Sequence, residues 1–561
     1  MDVPEMPKID VSYEDLCKLA GLKEIKEEDL MFAKCELDER IGDALKLDCK
    51  DTNRPDLWSV EGIAREIRFR YRKDFPAYKM KKSGIKVMVD DSVEKIRPYT
   101  VCAVVKKLKM TKNLLSQLIQ LQEKVSGTFG RNRREVAIGV YDLDKIKPPI
   151  EYTTVSPVGI KFIPLDFDRH MTPAEIIEKH PKGKEFGHLL RDKPVYPIFV
   201  DSEKNVLSVP PIINSNHTGR VGEHTKNVFI ECSGFDMKFL MPAINSLVAA
   251  LHERGGVVES VDVIYGRKKI TTPDMKHKIF SFDEDYVNNV TGLNLSRNQM
   301  SDILLRSGYK IVKAGKVFSV VYPAYRQDIM HARDLAEDVA ISYGYNTIEP
   351  DTKNEKTPGK QDAMELFCNA AADILVGTGL QEVLSYTLTN RRDVADKMSV
   401  RQGDLAEIDN PVSSNWSVIR NWLLPSLLEF LSKNKHAEYP QKISEVGDCT
   451  VIDEKRETGS RDIRKLAVGI SNSSVSYEDI TSVLDALLRT LGVPFDLRPV
   501  QHASFIEGRA ASVFSGGKEI GFVGEVNPQV LNNWNLEKPV AAFELDMEEI
   551  FGIHLKARKR R

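Results

Sequence analysis

The chain has 561 residues, 42% of them hydrophobic, and 80 Lys and Arg against 82 Asp and Glu leave a net charge of −2. A chain this long predicts roughly three to five domains, and its near-neutral charge excludes bulk electrostatics as a route to nucleic acid, which local basic patches would have to meet. No apolar run suffices to span a bilayer, the start MDVPEMPKIDVSYEDL has no signal-peptide character, and seven scattered cysteines without a CxxC pair predict reduced thiols, no zinc site and a cytoplasmic setting.

Residues 1–84 read as a small α/β unit. A helix Ser12–Ala20, capped by Ser12, ends before Gly21. After the turn-rich CKDTN, Pro55 stands near a helix start, and Leu57, Val60, Ala64, Ile67 and Tyr71 form one face. Residues 85–268 alternate strands (IKVMV, YTVCAVVKKL, VAIGVYDL, PIFV, NVFIEC) with helices Leu114–Val125 and Leu240–Arg254. Their polar loop PPIINSNHTGRVGEHT lies between strands, where a rigid scaffold commonly carries a site.

Residues 269–350 form a third unit: strand KIFSF, helices Glu284–Val290 and Ser296–Arg306, then strands YKIV and VFSVVYP, an order compatible with a winged-helix-like module. It ends in RQDIMHARDLAEDVAISYGY, an acidic helix with Leu335 and Val339 on its apolar stripe and Gly344 at the expected left-handed C-cap. Asp334, Glu337 and Asp338 share a helix face, with Asp328 just ahead. Clustered carboxylates repel unless a cation compensates them, and hard oxygen ligands suit Mg²⁺. The alternative is a solvated acidic first turn favoured by the helix dipole.

A charged Pro/Gly linker, Glu349–Lys360, leads into residues 351–561. There a long helix Asp362–Val376 precedes strands EVLSYTLT, QKISEVGDCTVI, KLAVGI, ASVFSGGKEIGFVGEV and AAFELDM, with helices Leu424–Leu431 and Ile480–Leu491 between them. An antiparallel sheet carrying helices on one face is the expected solution. The chain as a whole is predicted to be a multidomain α+β protein.

In their order and spacing, TNRPDLWSVEGIARE, VLSVPPIINSNHTGR, NVFIECSG, YRQDIMHARDLAEDVAISYGYNTI, IDNPVSSNWSVIRNWLLPSLLEFLSKN and KISEVGD closely resemble the β subunit of phenylalanyl-tRNA synthetase, archaeal/eukaryotic cytosolic type. The resemblance covers essentially the whole chain. It implies an α₂β₂ ligase that joins phenylalanine to tRNA(Phe) with ATP bound mainly by the α subunit. Residues 1–84 are then the N-terminal domain, 85–268 an editing-type, tRNA-binding domain, 269–350 a winged-helix-like magnesium-binding domain, and 351–561 a non-catalytic class II core. It also implies that Asp328, Asp334, Glu337 and Asp338 bind Mg²⁺ at a site shared with the α subunit, Asp338 standing where Glu is common.

A class II site grips ATP with arginines, whose planar forks lysine does not replace. Here Lys442-Ile443-Ser444-Glu445-Val446-Gly447 has no Arg two before Glu445, and GGKEIGFVGEVNP has no Gly-x-Gly ending in Arg. Adenylation is therefore expected from the partner. A phenylalanine pocket rejects an added hydroxyl only about a hundredfold, so hydrolysis of mischarged tyrosyl-tRNA is expected, and the resemblance implies that its site lies in the central domain. The candidates are Asn214, Ser215 and Thr218 of the loop, with Glu231 to accept the tyrosine hydroxyl and Ser233 beside it; His217 is read as incidental. Asn, Ser and Thr satisfying turn backbone, with Glu231 in a salt bridge, is the alternative. Three basic clusters, Arg65 to Lys73, Arg131 to Arg134 and Lys556 to Arg561, are modest tRNA-contact candidates. Competing readings are a non-enzymatic nucleic-acid-binding protein using the helix SRNQMSDILLRSG, and a free-standing aminoacyl-tRNA deacylase.

Overall fold

The computed structural model describes residues 7–349, 358–401 and 403–559, with side chains to Lys556. It separates into two compact units, Met1–Thr352 and Lys353–Arg561. The linker expected at Glu349–Lys360 falls largely outside the described residues.

The first unit opens with an antiparallel three-stranded sheet in the order Lys8–Ser12, Ala44–Cys49, Cys35–Ile41. Ser12 caps the helix Tyr13–Ala20 by accepting from the Asp15 N–H, and Gly21 closes it at φ +69°. The longer helix Val60–Arg72 is capped by Ser59. It packs so closely on the turn before it that a Cβ on Gly62 would lie 1.7 Å from the Asp56 carbonyl oxygen. Leu57, Val60, Ala64 and Ile67 are buried as their spacing predicts; Tyr71 is exposed, its hydroxyl donating to Asp29.

The central sheet has ten strands. Nine follow the order Ile213–Asn214, Val206–Val209, Tyr196–Val200, Ile150–Val155, Lys81–Val89, Val257–Tyr265, Tyr99–Lys106, Val228–Gly234, Val136–Asp142; the tenth, Lys268–Thr272, pairs with Val257–Tyr265. Residues alternate between two apolar faces. Val101, Ala103, Val105, Ile138, Val140 and Ile230 meet the helices Lys112–Lys124 and Met237–Glu253 in one cluster. Cys102, Val104, Tyr141 and Phe229 meet Tyr152, Phe199 and Leu207 from the far half of the sheet in another. The sheet therefore curls until its two end strands face one another. The helix Met237–Glu253 is apolar over most of its surface, and the first cluster runs on into the N-terminal sheet. One core thus crosses the boundary expected at 84/85.

The third sheet, Lys278–Asp283, Val317–Tyr322 and Lys310–Lys313, shares a core with helices Glu284–Thr291, Arg297–Arg306 and Ala332–Tyr343. Gly344 has φ +102° and ψ 108°, outside the left-handed helical region expected there, because the chain turns directly into the 3₁₀ turn Tyr345–Thr347.

The second unit is built on a seven-stranded sheet: Gln381–Glu382, Gln441–Ile452, Ser460–Ser471, Val540–Asp546, Lys518–Val526, Phe505–Ser515, Asp496–Pro499. Helices cover both faces, not one. Leu466, Val468, Ala541 and Phe543 face the helices Ala363–Gly377, Tyr477–Thr490 and Met547–Lys559. Ala467, Ala542 and Ile443 face Leu424–Lys433 and Pro528–Asn533. The reason is in the central strands, which carry apolar residues at successive rather than alternate positions and so need cover on each side. The expected strand EVLSYTLT is instead a loop between the two-residue strands Gln381–Glu382 and Leu388–Thr389, and Leu384 and Tyr386 point outward. All seven cysteines are free and buried. No helix among the described residues is long and apolar enough to cross a membrane.

Candidate functional site

Where the curled central sheet brings its two ends together, a cavity of about 410 Å³ remains between them. Its walls combine apolar side chains, with Leu115 and Leu118 from one helix, Ile138 and Val140 from the end strand, and Ile212 and Val221 from the opposite loops, with charged ones that include Glu123, Lys182 and Arg220. Glu231 and Ser208 supply polar groups to this lining. Arg133 ties the wall across the gap, donating to the Pro211 and Ile212 carbonyls at 3.2 and 3.0 Å. It is aimed there by a run of three left-handed residues, Arg131, Asn132 and Arg133, at φ 50°, 51° and 64°. Such strained backbone persists only where surrounding contacts hold it, and it concentrates at sites of function.

Glu231 sits in the sheet between Cys102 on one neighbouring strand and Gly139 on the other. It is 2% exposed. One carboxylate oxygen, Oε1, accepts from the Tyr141 hydroxyl at 3.0 Å. The other, Oε2, is buried and has no hydrogen-bond partner among the described residues. Burial raises the carboxyl pKa to about 7, opposed by the Tyr141 hydrogen bond, the Arg97 guanidinium and Ser233. An orphaned buried acceptor is costly to fold around, so this oxygen, beside the cavity, is a place where a donor from outside the chain would be favourable.

Of the five central-domain residues singled out from sequence, the structure brings Asn214 and Glu231 to the cavity. Asn214 reaches across to the Val140 carbonyl at 3.4 Å. Ser215 and Thr218 are turned onto each other, with their hydroxyl oxygens 3.0 Å apart, and Thr218 also donates to the Val206 carbonyl. They satisfy the turn, as the plainer reading of such residues anticipates. Ser233 accepts from Arg97 Nε at 3.1 Å and belongs to the support beneath Glu231. His217 is exposed. Sequence reasoning missed Tyr141, Ser208 and Arg97. A tyrosine inside the otherwise apolar VAIGVYDL was the available signal, because a buried phenol needs a partner.

The acidic helix is arranged differently. Asp328 and Asp338 both accept from Arg326, at 2.7 and 2.6 Å, and all three side chains are buried. Asp338 also accepts from the Tyr309 hydroxyl at 2.6 Å and faces Lys34 at 3.3 Å. Arg326 and Lys34 hold its pKa far below the ordinary carboxylate range. Asp334 turns back to its own helix start, accepting from the Met330 and His331 N–H groups through Oδ2. Glu337 is exposed, and partial desolvation raises its pKa. No group of three or more His, Cys, Asp or Glu side chains able to hold a metal exists among the described residues. Within this chain the four-carboxylate set does not fit a metal ion, because a guanidinium already occupies the space between Asp328 and Asp338.

Basic side chains expected to meet RNA are also mostly engaged. Arg65 is buried against Asp56 at 3.1 Å, Arg68 pairs with Glu253 at 2.7 Å, Arg70 with Asp29 at 3.0 Å, and Lys73 with Asp302. In the helix Arg297–Arg306, Arg297 is paired to Glu284 and Arg306 to Asp302, leaving a poor complement for a nucleic-acid groove. The side chains of the basic tail beyond Lys556 lie outside the described residues. In the second unit Glu445 is buried against Arg420 at 2.8 Å and accepts from Ser385 Oγ at 2.6 Å.

Comparison with known proteins agrees along the chain. Residues 96–261 match the B3/4 domain, 280–345 the tRNA synthetase B5 domain, and 348–547 the phenylalanyl tRNA synthetase beta chain CLM domain. The chain is 49% identical to the phenylalanine–tRNA ligase beta subunit of Pyrococcus furiosus over 97% of its own length and 100% of the relative's. For the Methanocaldococcus jannaschii counterpart the identity is 38% at the same coverage of both chains. A crystallised N-terminal fragment of the Pyrococcus horikoshii phenylalanyl-tRNA synthetase beta subunit, 49% identical, superposes with a TM-score of 0.59, covering 60% of this chain and all of the fragment. The curled sheet with its carboxylate-ended cavity and the two-faced sheet of the second unit thus belong to a member of the phenylalanine–tRNA ligase beta subunit family.

Proposed function

We propose that the chain works as the β subunit of phenylalanine–tRNA ligase, which forms phenylalanyl-tRNA(Phe), AMP and diphosphate from ATP, phenylalanine and tRNA(Phe). An α subunit adenylates the amino acid, and this chain removes tyrosine misattached to the tRNA. Glu445, the acid of the strand that would otherwise face ATP, is committed to Arg420 and Ser385, which supports a supporting rather than catalytic role for the second unit. Leu384, Tyr386 and Val412 of that unit are exposed and offer an apolar surface for the α subunit in an α₂β₂ assembly.

The observation that carries the editing reading is the unpartnered Oε2 of Glu231 beside a cavity with an apolar wall of Leu118, Ile138 and Val140. An aromatic ring with a hydroxyl supplies the missing donor; a phenylalanine ring would leave the oxygen orphaned. A site built to bond a hydroxyl rejects an analogue lacking it far more strongly than an apolar site rejects an added one. Glu231 holds the ring, and Asn214 is the polar loop group placed to orient the ester or the attacking water.

Magnesium enters this reading with ATP as substrate. Asp334 Oδ1 and Glu337 are the oxygens of the acidic helix left for a cation, and a complete coordination sphere there requires donors from the α subunit. Alanine at both positions tests this by Mn²⁺ titration of the assembled complex, unchanged binding removing the site. For editing, Glu231→Ala in the assembled enzyme is expected to slow tyrosyl-tRNA(Phe) deacylation at least tenfold. An unchanged rate overturns the assignment.

A further inference from the structure

We propose that Tyr141 is a positioning residue for Glu231: it occupies one carboxylate oxygen so that the other is presented to the phenolic hydroxyl of the substrate, in space that Gly139 keeps clear. The inference rests on the tyrosyl-ester reading of the cavity and adds to it the residues that set specificity.

The Tyr141 oxygen lies 2.7 Å from Ser208 Oγ and 3.0 Å from Glu231 Oε1. A phenol has one proton, so it donates to one neighbour and accepts from the other. Donation to the carboxylate is the charge-assisted, stronger choice, which leaves Ser208 donating to Tyr141. The resulting relay runs from Ser208, on the strand next to one end of the curled sheet, through Tyr141 on the end strand opposite, to Glu231 on the strand beside it. A glutamate carboxylate otherwise turns freely about its last torsion; the relay fixes which oxygen is satisfied and which is open.

Gly139 lies directly across the strand pair from Glu231 and two residues before Tyr141. A Cβ there would fall 2.1 Å from the Tyr141 hydroxyl oxygen and 2.7 Å from Glu231 Oε1. Any side chain at 139 would therefore separate the pair.

The groups around Glu231 make its charge readable. Arg97 is buried, donating to Ser233 Oγ and to the Arg133, Arg134 and Ser233 carbonyls, with no ion pair to a carboxylate among the described residues. Cys102 on the adjacent strand, Cys232 on its own strand, and Tyr141 and Tyr152 have pKa values raised by burial, so they stay neutral. Glu231 is then the group of this cluster that titrates near neutrality. The Tyr141 hydrogen bond favours its anion, and removing that bond moves its titration to higher pH.

The test uses the α/β enzyme carrying Tyr141→Phe. Deacylation of tyrosyl-tRNA(Phe) is measured from pH 5.5 to 9 and normalised to phenylalanylation by the same preparation. Losing a hydrogen bond to a charged group predicts a fall in kcat/KM of about tenfold at neutral pH, with the acidic limb of the profile displaced upward. Ser208→Ala should move both quantities the same way by less, and carries the test if Tyr141→Phe fails to assemble. Wild-type rate and an unmoved limb in the variant measured overturn the positioning role. If Glu231→Ala is impaired in the same assay, that result sinks only this inference; if Glu231→Ala is also normal, the reading of the cavity itself fails.

Discussion

Glu231 and Asp338 are both buried carboxylates on well-formed elements of the first unit, yet their surroundings are opposite. Asp338 accepts from Arg326 and Tyr309 and faces Lys34, so both of its oxygens are engaged and its acidity is increased. Glu231 has one oxygen engaged and one empty, and its acidity is reduced. The contrast is between a buried charge whose partners are complete and one whose partners are not. A charge surrounded by fixed partners joins the elements that supply them, whereas one left incomplete beside a cavity is a candidate for binding a ligand. Counting acids in the sequence points to the first region; the chemistry of the second is the more unusual.

The largest expected effect follows from breaking the satisfied cluster. Asp338→Ala should cost about 3–5 kcal/mol in urea unfolding, because Arg326 would be left buried and half-paired; a loss under 1 kcal/mol would show that the network contributes little. The pH dependence has matching signs. Because the folded pKa of Asp338 is depressed, its contribution is present above the unfolded carboxylate value near 4 and should be lost as pH falls below it.

Glu231 should behave in reverse. Its folded pKa of about 7 exceeds the ordinary 4.5, so its ionisation penalises folding increasingly between those values and fully above them. Glu231→Gln should stabilise the first unit by up to about 3 kcal/mol at pH 8 and negligibly at pH 4, read from thermal unfolding at both pH values. A pH-independent difference would contradict the burial argument.

A smaller effect concerns assembly. Tyr386→Ser should weaken association with the α subunit by about 1–2 kcal/mol in a sedimentation titration, without altering the unfolding of the isolated chain. The smallest is at the acidic helix: chelating divalent metal should shift the melting of the isolated chain by under 1 °C, since Arg326 and Lys34 already compensate Asp328 and Asp338. A shift of several degrees would restore the four-carboxylate site to this chain alone.

The helices with clear caps, Tyr13–Ala20 and Arg297–Arg306, were legible from sequence because their ends are local chemistry: Ser12 and Gly21, Ser296 and Gly308. So were the buried strands. What escaped was long-range. Tyr141 and Ser208 are 67 positions apart and meet only because the sheet curls end to end. Arg326 reads as one more cation until it is seen between Asp328 and Asp338. Local pattern determines which faces are apolar and where elements stop; which donor finishes which acceptor depends on the closure of the whole sheet, since a hydrogen bond is decided over tenths of an ångström that no spacing rule conveys.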